Sequence, residues 1–264
     1  MNLSSSNFCN KKIFIYGLAR TGISTLNFLK NKGNQLICWD DKLKTRKKIS
    51  KNFLLKSTKQ LNKHLFDFIV ISPGINKNNC SIKNFLSKNE HKIITDLDIF
   101  YSFNYFNKII SITGTNGKST TCKLLYEIFR AGGYKVQLGG NIGRPLLDLK
   151  KLKKESIFIL ELSSYQLDYT KYFRSNHAAI LNISFDHLER HKNIQNYINA
   201  KAKIFKFQKE TDIAYLSKKN KYFSKIKKNF KSKIKIIKLK NIYKLKKKIN
   251  NDYLLTLTNL ENLA

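Results

Sequence analysis

Residues 114–120 combine the groups that a phosphate site needs: Gly114, Thr115, Asn116, Gly117, Lys118, Ser119 and Thr120. Gly114 and Gly117 let the N–H groups of a tight turn approach an anion with no Cβ in the way. Lys118 adds a mobile positive charge for β- and γ-phosphates, and the hydroxyl of Ser119 or Thr120 can bind Mg²⁺. These residue types in this order predict a site for phosphate groups and Mg²⁺.

The segments on either side of this turn support the prediction. The apolar run 109–113 predicts a strand, and the amphipathic run 121–130 predicts a helix whose N-terminus carries partial positive charge. The strict phosphate-loop pattern has a glycine where this chain has Ile112, so the match is to a shortened form. The alternative is a chance glycine-rich turn before a helix.

A carboxylate lies near the end of one further predicted strand, and an amide follows another. Residues 156–162 form an apolar run that carries one carboxylate, Glu161. Burial of a lone carboxylate costs on the order of several kcal/mol unless it is paired or bound to metal. Glu161 is therefore predicted to bind Mg²⁺, with a structural hydrogen bond as the alternative. The earlier run 135–138 leads into a glycine-rich turn in which Asn141 can contact a polar ligand.

Two further side chains follow later predicted elements. The apolar run 177–183 predicts a strand, after which His187 stands beside an aspartate. A histidine in such a pair is either functional or an ordinary loop residue. The run 197–207 predicts a helix that contains Lys201, and nothing in the local pattern distinguishes this lysine from a solvated one.

The N-terminal part has the pattern of a βαβ unit. Strands are predicted at 11–16 and 35–39, a helix at 23–30, and a buried strand at 66–72. The turn after the first strand has glycine spacing similar to a dinucleotide-binding turn, and Asp40 follows about 20 residues later. Gly17, Asp40 and Ser72 are predicted to meet at one crevice. A tight turn without a ligand is the alternative.

The length and composition are those of an ordinary globular protein, but the net charge is unusual. A length of 264 residues suggests two domains, which we divide between residues 93 and 94. The net charge of +34 favours polyanions, but the lysines are spread through the chain and no nucleic-acid module is present in the sequence. Four scattered cysteines, no basic signal segment and no long apolar run predict a cytoplasmic protein without membrane association.

The end of the chain is less informative. Residues 218–248 are rich in lysine with interleaved apolar residues, and the alternation at 232–238 predicts a strand with one wet face. A basic docking strip is possible there, although a solvated face is the simpler interpretation. Residues 259–264 read as the first turn of a helix with no terminating signal.

The motifs, taken in order, resemble those of the Mur ligases, and most closely those of the member that adds D-glutamate. They are residues 72–75 (Ser-Pro-Gly-Ile), 114–120, 139–143 (Gly-Gly-Asn-Ile-Gly), 161–167 (Glu-Leu-Ser-Ser-Tyr-Gln-Leu), 182–190 (Asn-Ile-Ser-Phe-Asp-His-Leu-Glu-Arg) and 200–201 (Ala-Lys). The resemblance implies an α/β fold, with a Rossmann-like UDP-sugar-binding domain at 1–93 and a central ATP-binding domain at 94–264. It also implies that the family's third, glutamate-binding domain is absent.

The resemblance implies a reaction and a monomeric enzyme. ATP phosphorylates the carboxylate of UDP-N-acetylmuramoyl-L-alanine, and the amine of D-glutamate then attacks the acyl phosphate. Lys118, His187 and Lys201 would be catalytic, and Lys201 matches a lysine that the family carbamylates. The metal ligands would be Ser119, Glu161, His187 and carbamylated Lys201.

The remaining implied contacts concern the two nucleotides. Asn259 and Asn262 would join residues 114–120 in binding ATP. The nucleotide-sugar would be held by Arg20, Thr21, Asp40, Asp41, Ser72, Gly74, Asn141 and Ser163.

The chain departs from the family pattern at Lys42, Glu189 and Thr258, where the family commonly has arginine, aspartate and histidine. These substitutions weaken individual contacts that the resemblance implies, but the residues predicted to bind phosphate and metal are retained. Two other functions stay open. One is a non-catalytic nucleotide-sugar-binding fragment of such a ligase, and the other is a dehydrogenase that uses the N-terminal βαβ unit.

Overall fold

The computed structural model describes residues 4–150, 155–186, 188–217, 222–227 and 230–237. These residues form two units. The first holds the chain up to Tyr105 together with Pro145–Lys150 and Tyr169–Phe173, and the second holds the other described residues. The first unit thus runs past the predicted division at residues 93 and 94, which stays a prediction.

Four parallel strands form the sheet of the first unit. They are β1 (Lys12–Tyr16), β2 (Gln35–Trp39), β3 (Phe68–Ile71) and β4 (Ile93–Ile94), in the spatial order β2-β1-β3-β4. The central strand β1 buries Ile13, Phe14 and Ile15 completely, as expected for a parallel strand that is covered on both faces. The predicted strands at 11–16, 35–39 and 66–72 are confirmed, the last in shortened form.

Four α-helices in the described part of the first unit accompany this sheet: α1 (Arg20–Leu29), α2 (Leu43–Arg46), α3 (Lys83–Lys88) and α4 (Asp96–Asn104). Short 3-10 helices occur at Ser5–Phe8, Lys51–Phe53, Thr58–Lys63, Glu90–Lys92 and Leu146–Asp148. Helix α1 begins three residues before the predicted start at 23. Its first turn includes Gly22, where a Cβ would lie 1.8 Å from the carbonyl oxygen of Gly17, so glycine is needed for this close approach.

The second unit contains a six-stranded sheet in which every pairing is parallel. Its strands are β5 (Lys108–Thr113), β6 (Val136–Gly140), β7 (Ile157–Glu161), β8 (His177–Ile180), β9 (Ile213–Ser217) and β10 (Lys233–Ile237). The spatial order is β10-β9-β8-β5-β7-β6. Five of these strands confirm sequence predictions. The sequence analysis does not predict β9, because its five residues mix apolar, aromatic and hydroxyl side chains without a clear period.

The helices of the second unit are α5 (Lys118–Ala131), α6 (Ser164–Asp168), α7 (Leu188–His191), α8 (Ile194–Ala202) and α9 (Phe223–Lys227), with a 3-10 helix at Lys203–Phe205. Helix α5 packs on β5, β6 and β7, whereas α6, α7 and α9 contact α8. Right-handed crossovers explain this division. The chain moves one way across the sheet from β5 to β6 and the other way from β7 through β10, so α5 lies on the face opposite α6, α8 and α9.

The α/β fold class with parallel sheets is therefore confirmed. In both sheets the strands end at a common edge, which is where loops of parallel sheets gather ligand-binding groups. Among the described residues, no helix combines the length and the apolar character that a membrane crossing requires.

Candidate functional site

The turn between β5 and α5 is the predicted phosphate loop. Gly117 immediately precedes α5 and has a φ of 81°, in the left-handed region that favours glycine. A Cβ at Gly114 would lie 3.2 Å from the Cβ of Leu181, so the loop packs closely on the residue that follows β8. The loop also adjoins the positive end of a 14-residue helix, an arrangement that attracts anions.

Asn182, just after β8, holds the loop backbone in place. Its Oδ1 accepts hydrogen bonds from the N–H groups of Thr115 at 3.1 Å and Asn116 at 2.8 Å. Its Nδ2 donates to the carbonyl of Asn116 at 3.1 Å. The sequence alone gives Asn182 no role, although it lies near the end of the predicted strand 177–183, at the edge where ligand sites gather.

The two predicted lysines converge on one carbonyl of the loop. Lys118 Nζ donates to the carbonyls of Gly114 at 3.0 Å and Thr115 at 2.8 Å. Lys201 Nζ donates to the same Gly114 carbonyl at 2.8 Å. Two lysine amines that donate to a single carbonyl place basic groups beside the turn, which suits a polyphosphate.

Lys201 is buried, contrary to the expectation of an ordinary solvated helix lysine. Only 2% of the residue is exposed, and Nζ lies 4.5 Å from the centroid of the Tyr197 ring, one helical turn earlier on α8. Burial lowers the pKa of Lys201 to about 7, and the charge of Lys118 lowers it further while Asp186 opposes the shift. The local sequence cannot reveal this, because the packing of α8 against the loop creates it.

Tyr197 also ties α8 to the loop through its phenol. Its hydroxyl lies 3.2 Å from Thr115 Oγ1, and that Oγ1 accepts a hydrogen bond from the N–H of Ser184 at 3.0 Å. Tyr197 is 1% exposed. The Tyr197 and Lys201 side chains, which are one turn apart, therefore contact consecutive residues of the phosphate loop.

Glu161 ends β7 beside the loop and is 1% exposed. Its Oε2 accepts a hydrogen bond from Ser119 Oγ at 2.7 Å, and its Oε1 accepts one from Asn141 Nδ2 at 2.8 Å. The carboxylate thus joins the first turn of α5 to the glycine-rich turn after β6. This contact places Glu161, Ser119 and Asn141 together, as the sequence predicts for the first two.

Gly140 allows that arrangement. It has a φ of 110°, and a Cβ there would lie 2.3 Å from the carbonyl oxygen of Glu161. The next residue, Asn141, donates its backbone N–H to that same carbonyl at 2.9 Å. A side chain at position 140 would push the turn off β7 and take the Asn141 amide away from the carboxylate.

The oxygen donors at this site suit magnesium. Mg²⁺ prefers hard oxygen ligands and is commonly held by one or two carboxylates together with substrate phosphates. The Ser119 hydroxyl and the buried Glu161 carboxylate, 2.7 Å apart at the phosphate loop, supply such a pair. In the described ranges no group of three or more His, Cys, Asp or Glu side chains could hold a metal ion.

The sequence also predicts five other site residues in the second unit. His187, Asn259 and Asn262 lie outside the described residues. Thr120 lies in the first turn of α5. Ser163 donates from its backbone N–H and its Oγ to Oε1 of Gln166, at 3.0 and 3.1 Å, so it caps the start of α6.

The residues predicted to form a crevice in the first unit lie close together in the structure. Ser72 Oγ donates to the carbonyl of Gly17 at 2.7 Å. Asp40 is 7% exposed, with Oδ2 accepting from the N–H of Leu18 at 2.7 Å and Oδ1 from the N–H of Lys42 at 2.8 Å. Both oxygens of Asp40 therefore organise the turns at the strand ends, and its predicted contact with a nucleotide-sugar stays a prediction.

The other first-unit residues lie at the same edge. Arg20 and Thr21 open α1, and a Cβ at Gly74 would meet nothing within 4 Å. Asp41 accepts hydrogen bonds from Tyr16 at 2.7 Å and from the backbone N–H of Ser81 at 3.1 Å. Burial on its own would raise the pKa of Asp41, but these hydrogen bonds outweigh it and lower the pKa.

Comparison with known families identifies the class of protein. A family model described as the Mur ligase middle domain matches residues 112–256, more than half of the chain, including the phosphate loop. The chain belongs to the Mur ligase family. A second model, described as the N-terminal domain of MurD-like Mur ligases, matches residues 11–94. The resemblance to the Mur ligases that the sequence indicates is thus confirmed.

Curated relatives agree with this assignment. The UDP-N-acetylmuramoylalanine–D-glutamate ligase of Buchnera aphidicola subsp. Schizaphis graminum is 40% identical over 236 residues, covering 83% of this Mur ligase chain and 52% of that protein. The ligase of the same name from Rickettsia bellii is 37% identical over 234 residues, covering 86% of this chain and 51% of that protein. The chain therefore spans about half the length of the curated relatives it matches.

A solved structure shares the fold. The UDP-N-acetylmuramate:L-alanyl-gamma-D-glutamyl-meso-diaminopimelate ligase from Neisseria meningitides superposes with a TM-score of 0.56 at 15% identity, covering 86% of this chain and 77% of that one. At this identity the likeness concerns the fold alone. It agrees with a Mur ligase fold built from parallel α/β sheets.

Proposed function

We propose that this Mur ligase chain binds ATP at residues 114–120 and serves an ATP-dependent ligase that adds D-glutamate to UDP-N-acetylmuramoyl-L-alanine, a step in peptidoglycan precursor synthesis. The proposal rests on the four side chains that meet at residues 114–120. Ser119 and Glu161 are joined at 2.7 Å, and Lys118 and Lys201 bind the same Gly114 carbonyl. The identity of 37–40% to D-glutamate ligases supports the choice of substrate.

In this proposal the chain's own groups bind and orient the triphosphate. The N–H groups at the N-terminus of α5 donate hydrogen bonds to the phosphate oxygens, and Lys118 turns from the loop carbonyls to the β- and γ-phosphates. Mg²⁺ held by Ser119 and Glu161 would neutralise the charge that develops on the transferred phosphoryl group. Asn141 fixes the Glu161 carboxylate by its hydrogen bond, so the ligand is oriented before substrate arrives.

The proposed chemistry has two steps. A carboxylate oxygen of UDP-N-acetylmuramoyl-L-alanine attacks the γ-phosphorus of ATP, and the bond to the ADP oxygen breaks, which leaves an acyl phosphate. The amine of D-glutamate then attacks the acyl carbon and loses a proton, and inorganic phosphate leaves. The positive charge of Lys118 stabilises the phosphate oxygens in both steps. The crevice of the first unit, around Gly17, Asp40 and Ser72, is the proposed site for the uridine nucleotide.

We also propose that Lys201 becomes a carbamate. Its neutral amine adds to carbon dioxide and loses a proton, which converts a cation into an anion that can bind metal. Two features of the structure support this: the residue is 2% exposed, and its amine lies at the loop, 2.8 Å from the Gly114 carbonyl. Intact mass measurement under carbon dioxide, compared with Lys201→Met, tests the modification separately from turnover.

The decisive experiment for the reaction is an assay of ADP release with Mg²⁺, ATP, UDP-N-acetylmuramoyl-L-alanine and D-glutamate, with the product identified by mass spectrometry. We expect release that requires D-glutamate, is lost in Lys118→Ala, and persists in Lys123→Ala, a matched change at an exposed lysine of the same helix. L-glutamate serves as the stereochemical control.

Two other results would change the assignment. Tight binding of UDP-N-acetylmuramoyl-L-alanine without any turnover would favour a non-catalytic nucleotide-sugar-binding role, for which the half-length match to the curated relatives is the supporting observation. Binding of neither ATP nor the nucleotide-sugar would contradict both assignments.

A further inference from the structure

The carboxylate of Asp41 is surrounded by hydrogen-bond donors of the first unit. Its Oδ2 accepts from the Tyr16 hydroxyl at 2.7 Å and from the backbone N–H of Ser81 at 3.1 Å. Its Oδ1 accepts from Trp39 Nε1 at 3.2 Å and from the Ser81 hydroxyl. These donors occupy about as many sites as an ionised carboxylate has lone pairs. The carboxylate is therefore committed to contacts within the chain.

Two of the donors stand directly beside the crevice. Tyr16 and Trp39 are the last residues of β1 and β2, and they immediately precede Gly17 and Asp40 of the crevice. The backbone N–H of Gly17 donates to the carbonyl of Trp39 at 2.8 Å. Because Asp41 binds the side chains of both strand-end residues, it ties β1 to β2 at the point where the crevice begins.

The third donor residue, Ser81, brings in the stretch 72–81. The start of this stretch lies against Gly17: Ser72 Oγ donates to the carbonyl of Gly17 at 2.7 Å, and a Cβ at Gly17 would lie 2.9 Å from Cγ1 of Ile75. The contact with Ser81 therefore fixes the far end of a stretch whose first residues form a wall of the crevice.

We propose that Asp41 is a positioning residue of the nucleotide-sugar site and does not itself contact the nucleotide-sugar. The inference rests on the proposed function of the crevice around Gly17, Asp40 and Ser72. Asp41 fixes the ends of β1 and β2 and the stretch 72–81 relative to one another, so the crevice has its shape before the ligand arrives. Preorganised binding sites depend on such supporting hydrogen bonds.

A direct contact with the ligand would cost Asp41 its present partners. Asp41 is exposed, so access does not prevent such a contact. The Tyr16 side chain, however, is completely buried, and a buried hydroxyl that loses its acceptor is unfavourable. The indole of Trp39 is also held in place, because the guanidinium carbon of Arg46 lies 4.0 Å from the centroid of its ring.

A double-mutant cycle on the full chain separates positioning from direct contact. Calorimetry measures the binding of UDP-N-acetylmuramoyl-L-alanine to Asp41→Ala, to Tyr16→Phe and to the double variant. Tyr16→Phe removes a hydroxyl from a residue with no exposed surface, so the change does not remove a contact with the ligand. We expect each single change to weaken binding by about threefold to tenfold, the range of one ordinary hydrogen bond. The double variant should bind no worse than Asp41→Ala.

The matched control is Tyr134→Phe, the same chemical change at a tyrosine of the second unit that is 55% exposed. It should bind the nucleotide-sugar like the unaltered chain. All variants are compared at a temperature at which their circular dichroism matches that of the unaltered chain, because a purely structural role would lower the melting temperature without changing the affinity of the folded protein.

Other results would contradict the proposal. Weaker binding in Asp41→Ala together with unchanged or tighter binding in Tyr16→Phe would show that Asp41 contacts the ligand, because loss of the phenol frees the carboxylate for it. Additive losses in the double variant, or equal binding in all variants, would show that the two residues do not act together on the site. No binding by the unaltered chain would overturn the proposed nucleotide-sugar site, and this inference with it.

Trp39 provides a second measurement that needs no substitution. It is the single tryptophan of the chain, so its indole N–H gives one resonance in a proton NMR spectrum. If Asp41 keeps its contacts in the complex, saturation with UDP-N-acetylmuramoyl-L-alanine should leave hydrogen exchange of this proton unchanged or make it slower. Exchange that is several times faster in the complex would show that Asp41 leaves Trp39 to bind the ligand.

Discussion

The carboxylate of Glu161 contacts side chains from two other parts of the chain. Ser119 donates from the start of α5 at 2.7 Å, and Asn141 donates from the turn after β6 at 2.8 Å. Both donors are neutral, and Glu161 is 1% exposed. Hydrogen bonds from neutral groups compensate only part of the cost of a buried negative charge. A divalent cation at this carboxylate would supply the rest, which is why we propose Mg²⁺ here.

Replacement Glu161→Gln should weaken Mg²⁺-dependent binding of a non-hydrolysable ATP analogue by about tenfold or more, because the amide keeps the size but loses the charge. Calorimetric titration with and without Mg²⁺ measures this. Glu127→Gln, an exposed change on α5, is the matched control and should bind like the unaltered chain. An unchanged Mg²⁺ dependence in Glu161→Gln would show that Glu161 does not bind the metal.

A second buried carboxyl group, that of Asp96, leads to a prediction about how stability depends on pH. Asp96, at the start of α4, is 2% exposed, and its Oδ1 has no hydrogen-bond partner among the described residues. Burial raises the pKa of Asp96 from 3.8 to about 7, and the negative charge of Asp98 adds to the shift. The folded chain therefore holds a proton that the unfolded chain loses above its ordinary pKa.

The sign of the pH effect follows from that difference. The contribution of Asp96 to stability is full below about pH 4 and is lost as the pH rises to about 7, at up to about 1.4 kcal/mol per pH unit. Asp96→Asn stays neutral throughout, so its stability relative to the unaltered chain should rise across this range. Denaturant unfolding of both proteins between pH 4 and pH 8 measures the difference. A constant difference across the range would mean that Asp96 has an ordinary pKa.

At the scale of elements, the site depends on how closely turns approach strands. The turn after β6 touches β7 at Gly140, and the loop before α5 is held by Asn182 from the end of β8. Neither contact lies within one element. Each fixes a functional side chain, or a set of backbone N–H groups, relative to a neighbouring strand of the same sheet.

Gly140→Ala should destabilise the chain by about 1–3 kcal/mol, because of the positive φ and the 2.3 Å approach of a Cβ to the Glu161 carbonyl. The same change at Gly74, where a Cβ would meet nothing within 4 Å, should alter stability by less than about 0.5 kcal/mol. Urea denaturation compares the two. Equal effects would show that the turn after β6 relaxes away from β7 at little cost.

At the scale of the whole molecule, the charge is the dominant feature. A net charge of +34 on 264 residues produces self-repulsion that favours expanded states. The Debye length falls to about 8 Å at physiological ionic strength, so salt should relieve much of this repulsion.

The melting temperature should therefore rise as sodium chloride is increased from low to physiological ionic strength at neutral pH. Differential scanning calorimetry measures the rise, and potassium chloride should give the same result if screening is the cause. A melting temperature that stays flat or falls would mean that specific ion pairs, such as Arg174 with Asp212 at 2.6 Å, outweigh the general repulsion.

Most of the strands, the glycine-rich turn before α5 and the fold class could be read from the sequence alone. Each depends on local information: apolar runs of strand length, glycines at a turn, and a lysine and hydroxyls at a helix start. The sequence also determined the family, because the motifs occur in order along the chain. Strand β9 escaped prediction because its five residues carry no period of their own and are fixed by pairing with β8 and β10.

The burial of Lys201 and the hydrogen bonds by which Asn182 holds the loop became visible only in the folded chain. These features arise where residues far apart in the chain meet, as Asn182 does with Asn116 and Lys201 with Gly114. The local sequence pattern shows which face of a helix or strand is apolar, but not which neighbouring element covers that face. The cost of burying a charge depends on that neighbour, so it became visible only once the strands were placed side by side.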